Sequence, residues 1–213
     1  MYGTVLFDLD GTLTDPGIGI TNSVRYALER YGIAVADRRE LYCFIGPPLR
    51  ESFEKYYGFS EKQAREAVAC YREYFAQTGL LENKVYDGIE SLLQQLRAAG
   101  KTLLVATSKP EVFARRILEH FGLDGYFDFI AGATLDETRV RKADVIAYAL
   151  DSCGVTDLAQ AVMVGDREQD VLGARAMGID CIGVLFGYGS REELEQAGAR
   201  YLAETVEDIA RFC

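Results

Sequence analysis

Three short stretches of this chain carry the residue types that chemistry needs. The first is Asp8-Leu9-Asp10-Gly11-Thr12-Leu13-Thr14-Asp15, the second Thr107-Ser108-Lys109-Pro110, and the third Gly165-Asp166-Arg167-Glu168-Gln169-Asp170. Lys142 stands between the second and third. Asp8 and Asp166 are hard oxygen donors suited to Mg²⁺. A carboxylate such as Asp8 can also attack phosphorus and form an acyl phosphate. Asp10 lies two residues on, where it can act first as a general acid and then as a general base. Gly11 permits a turn that would expose backbone N–H groups to an anion. Thr107 and Ser108 offer hydroxyl and amide donors, and Lys142 adds positive charge for a phosphoryl group.

These stretches gain meaning from the elements that position them. Apolar runs at Thr4–Leu9, Thr102–Ala106, Phe127–Ala131, Ala161–Val164 and Cys181–Val184 read as buried parallel strands. Helical stretches lie between most of them: Ile89–Ala99, Glu111–Phe121, Lys142–Cys153 and Glu168–Met177. In the second of these, Val112, Ile117, Leu118 and Phe121 are expected on the apolar face. The alternation predicts an α/β fold, a Rossmann-like parallel sheet with helices on both faces. Ligands of such sheets bind beyond the carboxyl ends of the strands, which is where all three stretches fall.

Residues 16–81 break the alternation. They show helical periodicity, as in Ile20–Tyr31, Leu49–Tyr57 and Glu61–Tyr74, without a convincing strand. The expected organisation is a core of residues 1–15 and 82–213 with an inserted helical bundle at 16–81, bordered by breaking residues and able to act as a hinged lid. Substrate selection is expected from Gly46 to Arg50, where Arg50 can meet a carboxylate or a second phosphate by a bidentate contact.

Composition excludes other classes. The chain has 213 residues, a net charge of −10 and a pI near 4.7, which speaks against a nucleic-acid polymer as partner. The five cysteines form no CxxC pair, so neither a disulfide framework nor a zinc site is expected, and reduced cytoplasmic thiols fit. No basic leader opens the sequence and no apolar run is long enough to span a membrane. The lone histidine, His120, ends a helical pattern, where the helix dipole favours it structurally. No nucleophile turn accompanies it, so a Ser-His-Asp triad is not expected. The first strand leads into Asp-Leu-Asp-Gly rather than GxGxxG, which argues against dinucleotide binding.

Asp8-Leu9-Asp10-Gly11-Thr12-Leu13 resembles the first motif of the haloacid dehalogenase superfamily. Ser108 matches its second motif, Lys142 its third, and Gly165-Asp166 with Asp170 its acidic fourth. The insert resembles the superfamily's type 1 cap. Phe44-Ile45-Gly46-Pro47-Pro48-Leu49 and Gly187-Tyr188-Gly189 are similar to the phosphoglycolate phosphatase-like branch, and bacterial 5′-nucleotidases look alike. Ala143-Asp144 follow Lys142 where many phosphoglycolate phosphatases carry KPxP.

The resemblance implies a Mg²⁺-dependent phosphatase of small phosphorylated metabolites that works through an aspartyl-phosphate. It assigns Asp8 as nucleophile and metal ligand, Asp10 as acid/base and ligand through its backbone carbonyl, and Asp166 as the third protein ligand. It assigns Asp170 to support of the metal-bound waters or Lys142, and Ser108 and Lys142, assisted by Thr107, to the phosphoryl group. Dehalogenases and phosphonatases of the superfamily generally lack the second aspartate, so Asp10 favours phosphate esters. A phosphomutase and a phosphoryl-accepting signalling module are the alternatives.

Overall fold

The computed structural model describes residues 2–213. The chain divides into two compact units, Met1–Asp15 with Val85–Cys213, and Pro16–Lys84. The return border falls three residues later than the sequence pattern placed it, with Glu82, Asn83 and Lys84 in the helical unit. There Glu82 accepts hydrogen bonds from Asn22 Nδ2 at 3.0 and 3.1 Å and from Tyr74 Oη at 3.2 Å.

The strands are β1 (Thr4–Phe7), β2 (Thr14–Asp15), β3 (Lys84–Val85), β4 (Thr102–Pro110), β5 (Phe129–Ala133), β6 (Ala161–Gly165), β7 (Asp180–Val184) and β8 (Tyr201–Ala203), all in the first unit except β3, which falls on the border. Six of them form one parallel sheet in the order β5-β4-β1-β6-β7-β8. Strand β1 is central, and the chain builds outward from it first on the β4 side and then on the β6 side. That reversal opens a crevice at the carboxyl ends of β1, β4 and β6.

Strand alternation sends Leu6, Leu104, Ala106 and Met163 to one face, all buried. Helices α6 (Lys142–Ser152), α7 (Glu168–Ala176) and α8 (Arg191–Ala197) cover it through residues such as Val145, Ile146, Val171 and Leu194. The intervening Val5, Phe7, Leu103 and Val105 are equally buried on the other face, the side of α4 (Ile89–Ala98), α5 (Glu111–His120) and α9 (Val206–Phe212). A fully buried side chain of this size contributes about 1.5–3 kcal/mol relative to exposure, so both faces must be covered for the sheet to hold.

Two expectations need correction here. In α5 the apolar face carries Phe113, Ala114, Ile117 and Leu118, while Val112 is 46% exposed. The pair Phe113–Ile117, spaced four residues apart, sets the buried face, and Val112 falls outside it. Strand β4 also runs to Pro110 rather than stopping at Ala106, with a register shift against β5 between Thr107 and Pro110. Pro110 stands at the cap of α5, just ahead of its first turn. His120 is the exposed last residue of that helix, with its ring edge-on to Phe121 at 4.9 Å.

The second unit contains α1 (Gly17–Glu29), α2 (Leu49–Tyr57) and α3 (Glu61–Tyr74). Its core is aromatic: Phe44 meets Phe53 edge-on at 4.9 Å, and Phe53 stacks on Phe59 at 5.7 Å. Ser60 caps α3 reciprocally with Gln63, which satisfies two orphan donors of the first turn.

Candidate active site

Six charged side chains are buried among the described residues: Asp8, Asp10, Lys109, Lys142, Asp166 and Asp170. Taking charges out of water is costly, so they are kept only where partners compensate. Here they compensate one another, beyond the carboxyl ends of β1, β4 and β6.

Asp8 follows β1 directly, and its N–H donates to Val164 O at 2.9 Å, extending the β1–β6 ladder by one bond. Its Oδ1 accepts the N–H of Leu9 at 2.7 Å and lies 2.9 Å from Lys142 Nζ. Both contacts fall on one oxygen, which orients Oδ2 for another partner. Lys142 is the first residue of α6, where a cation opposes the helix dipole. It is held there by Asp8, by Asp170 Oδ1 at 2.8 Å and by the carbonyl of Ala106 at 3.0 Å. Burial alone would lower the Lys142 ammonium, but Asp170 and Asp8 outweigh burial and hold it above its usual range. Lys142 thus stands between Asp8 and Asp170 and ties the two carboxylates to one cation.

Asp166 follows β6 and accepts the N–H of Tyr188 on Oδ2 at 2.8 Å. Thr12 Oγ1 reaches its Oδ1 only at 3.5 Å. Burial, with Asp170 and Asp8 nearby, pushes Asp166 well above the usual carboxylate range. Asp170 Oδ2 accepts the N–H of Arg167, and burial raises its carboxyl to about 6 despite Lys142. Asp8, Asp166 and Asp170 each offer an oxygen within 4.8 Å of the others, close enough to share one ion. With every group ionised, four carboxylates meet two ammonium groups in the cluster, an excess of two negative charges. Arg167 adds nothing net, being paired with Glu193 at 2.8 Å. Hard oxygen donors with that excess fit a divalent cation such as Mg²⁺. The carboxylate of Asp10 is not among the three.

Gly11 does not present its amide to an anion. Its N–H donates to Thr14 O at 2.7 Å, and the amides of Thr12, Leu13 and Thr14 all point at Leu9 O. The glycine is required for its φ of +83° and for space, since a Cβ there would stand 2.2 Å from Asp166 Oδ2. Gly187 meets the same demand from the other side, where a Cβ would lie 2.4 Å from Asp166 Cβ. The Gly187-Tyr188-Gly189 stretch thus backs Asp166.

Thr107 is buried, with Oγ1 accepting the N–H of Lys109 at 3.2 Å, while Ser108 is half-buried beside it. Lys109 was absent from the sequence-based site. Its Nζ lies 2.5 Å from Asp10 Oδ2, and Asp10 Oδ1 is buried without a hydrogen-bond partner. Burial raises Asp10 above the usual carboxylate range, against the pull of Lys109. The missed signal was strand alternation: carried past Ala106, it puts Lys109 on the same side as Thr107. Gly46 and Arg50 belong to the helical unit, Gly46 at a φ of +101° and Arg50 in the first turn of α2, 3.7 Å from Glu61.

Residues 5–184 match the family model of haloacid dehalogenase-like hydrolases. A 5′-nucleotidase from Pseudomonas aeruginosa is 53% identical over 193 residues, covering 91% of this chain and 87% of that protein. Tyrosine-protein kinase PtkA from Mycobacterium tuberculosis is 42% identical, covering 96% of this chain and 70% of that protein. A solved structure described as a predicted phosphatase from Clostridium acetobutylicum superposes with a TM-score of 0.97 at 50% identity, over 100% of this chain and 98% of that one. With the match running from β1 to the end of β7 and taking in both acidic strand ends, the chain belongs to the haloacid dehalogenase-like hydrolases.

Proposed function

We propose that the protein is a Mg²⁺-dependent phosphatase that hydrolyses a small phosphate monoester through an aspartyl-phosphate on Asp8. The observation that carries this reading is the confinement of the buried charged side chains, among the described residues, to one cluster, with Asp8 pinned through Oδ1 and Asp10 presenting an unpartnered Oδ1.

In the first half-reaction an Asp8 oxygen forms a bond to phosphorus as the ester P–O bond breaks, and Asp10 gives a proton to the departing alkoxide. In the second, Asp10 takes a proton from water, the water oxygen bonds to phosphorus, and the acyl-phosphate P–O bond breaks to free Asp8 and inorganic phosphate. Thr107 and Ser108 supply donors to the phosphoryl oxygens. Asp8, Asp166 and the Asp10 carbonyl, with Asp170 in support, would hold Mg²⁺, which would supply positive charge against the repulsion between carboxylate and anionic ester.

The 5′-nucleotidase relative supports a nucleoside monophosphate as the ester. The cap sequence similar to phosphoglycolate phosphatases supports a small acid phosphate instead. We assign the choice to Gly46 and Arg50. Phosphate release from nucleotides, sugar phosphates and small acid phosphates, assayed with chelator and after Mg²⁺ is restored, tests the proposal. Release that depends on Mg²⁺ supports it, and undiminished release in chelator contradicts it. The kinase-named relative gives a second reading, transfer from Asp8 to a hydroxyl rather than to water. A phosphorylated acceptor in place of inorganic phosphate would identify that reaction, as an isomeric ester would identify a mutase.

A further inference from the structure

The Lys109–Asp10 pair asks for more than charge balance. A carboxylate is planar, and its terminal torsion is broad and roughly two-fold, so an untethered Asp10 would present either oxygen over a range of directions. Lys109 removes that freedom. Its Nζ sits 2.5 Å from Oδ2, and both side chains are almost fully buried, at 5% and 9% exposure. The lysine is itself anchored, in the extension of β4, where its N–H donates to Thr107 Oγ1. What remains is Oδ1, buried and without a hydrogen-bond partner. Such an acceptor is expensive to keep unless a partner arrives during function.

We propose that Lys109 is a positioning residue for Asp10: it pins Oδ2 so that Oδ1 is the oxygen that exchanges a proton with the leaving group and then with water. The inference rests on the phosphatase reading above. Lys109 needs no contact with the ester and acts through Asp10.

A positioning role and simple charge compensation separate in leaving-group dependence. An aryl phosphate with a good leaving group needs little protonation, whereas an alkyl phosphate needs it fully. In Lys109→Met, kcat for an alkyl phosphate should fall by about tenfold to a hundredfold, part of the hundredfold or more that a positioned acid contributes, while kcat for p-nitrophenyl phosphate changes by less than about threefold. KM for both esters should stay near wild type. In an Asp10→Asn background the same substitution should add less than about twofold on the alkyl ester, since its route of action is gone. Lys109→Gln, which keeps a donor for Oδ2 without the charge, should restore part of the alkyl-to-aryl ratio. It also decides the matter if Lys109→Met does not fold by circular dichroism.

Equal losses on the two esters, or full additivity with Asp10→Asn, would overturn the positioning role. Wild-type release of phosphate from both esters, measured alongside, reports on the parent reading separately. If the wild type releases none from either, both readings fall. If it turns over and the Lys109 variants keep its ratio, only this one does.

Discussion

Both units carry exposed ion pairs, but among the described residues only the sheet unit also buries them. In the sheet unit, the Lys142–Asp8, Lys142–Asp170 and Lys109–Asp10 pairs have side chains no more than 9% exposed. In the helical unit, Arg30–Glu73 and Arg65–Glu61 are more than half exposed at both ends. Exposed pairs gain little Coulomb energy in water and lose side-chain entropy, so the helical unit gains solubility from them more than stability. Buried pairs must overcome desolvation, and apolar residues of the same volume would often serve folding as well or better. A sheet unit that keeps six buried charges is therefore organised at that point for chemistry rather than for stability. The helical unit takes its order from Phe44, Phe53 and Phe59.

Substitutions can break this contrast, and the effects should be graded. Asp8→Asn should take phosphate release to background while circular dichroism stays native-like, because an amide cannot replace the nucleophile. A folded variant with near wild-type kcat would remove Asp8 from the chemistry. Asp10→Asn should slow an alkyl ester by about a hundredfold to ten-thousandfold and an aryl ester much less, in rapid-quench measurements of the phosphorylation step. Equal losses would leave Asp10 as a shaper of the turn.

Lys142→Met strands Asp8 and Asp170 without their cation. Urea unfolding in chelator should show a loss of about 3–5 kcal/mol, partly recovered by Mg²⁺. A variant as stable as wild type in chelator would mean that the buried pairs are not what orders the site. At the small end, Arg30→Ala should leave both the urea midpoint and kcat within the scatter of wild-type repeats. A clear loss there would erase the distinction between the units.

Much of this was legible in the residues. Asp8, Asp166 and Lys142 each sit where an apolar run ends or a helix begins, and the strand-end rule nominates such positions without knowledge of contacts. The sheet's inner strands and the helices α2 and α3 were legible for the same reason, a strong and uninterrupted period. What escaped depends on distance rather than pattern. Lys109 was hidden because Thr-Ser-Lys-Pro reads as a helix opening, whereas the structure continues β4 through it. The bond from Lys142 to the Ala106 carbonyl joins residues 36 apart in sequence. The turn after β1 spends the amides of Thr12, Leu13 and Thr14 on Leu9 O and that of Gly11 on Thr14 O, which no glycine count reveals. Strand β8 has three residues, and α8 and α9 have seven each, too short for periodicity to stand out.

The central claim is a covalent bond between phosphorus and Asp8, and acid quench during turnover tests it most directly. Wild-type protein with Mg²⁺ and an aryl phosphate should be stopped in acid within the first turnover, digested, and its peptides weighed. The account predicts one added phosphoryl group on the peptide that contains Asp8, removed by hydroxylamine and missing from Asp8→Asn. Steady release of phosphate with no covalent phosphoryl on that peptide, or with the group on another residue, would contradict it.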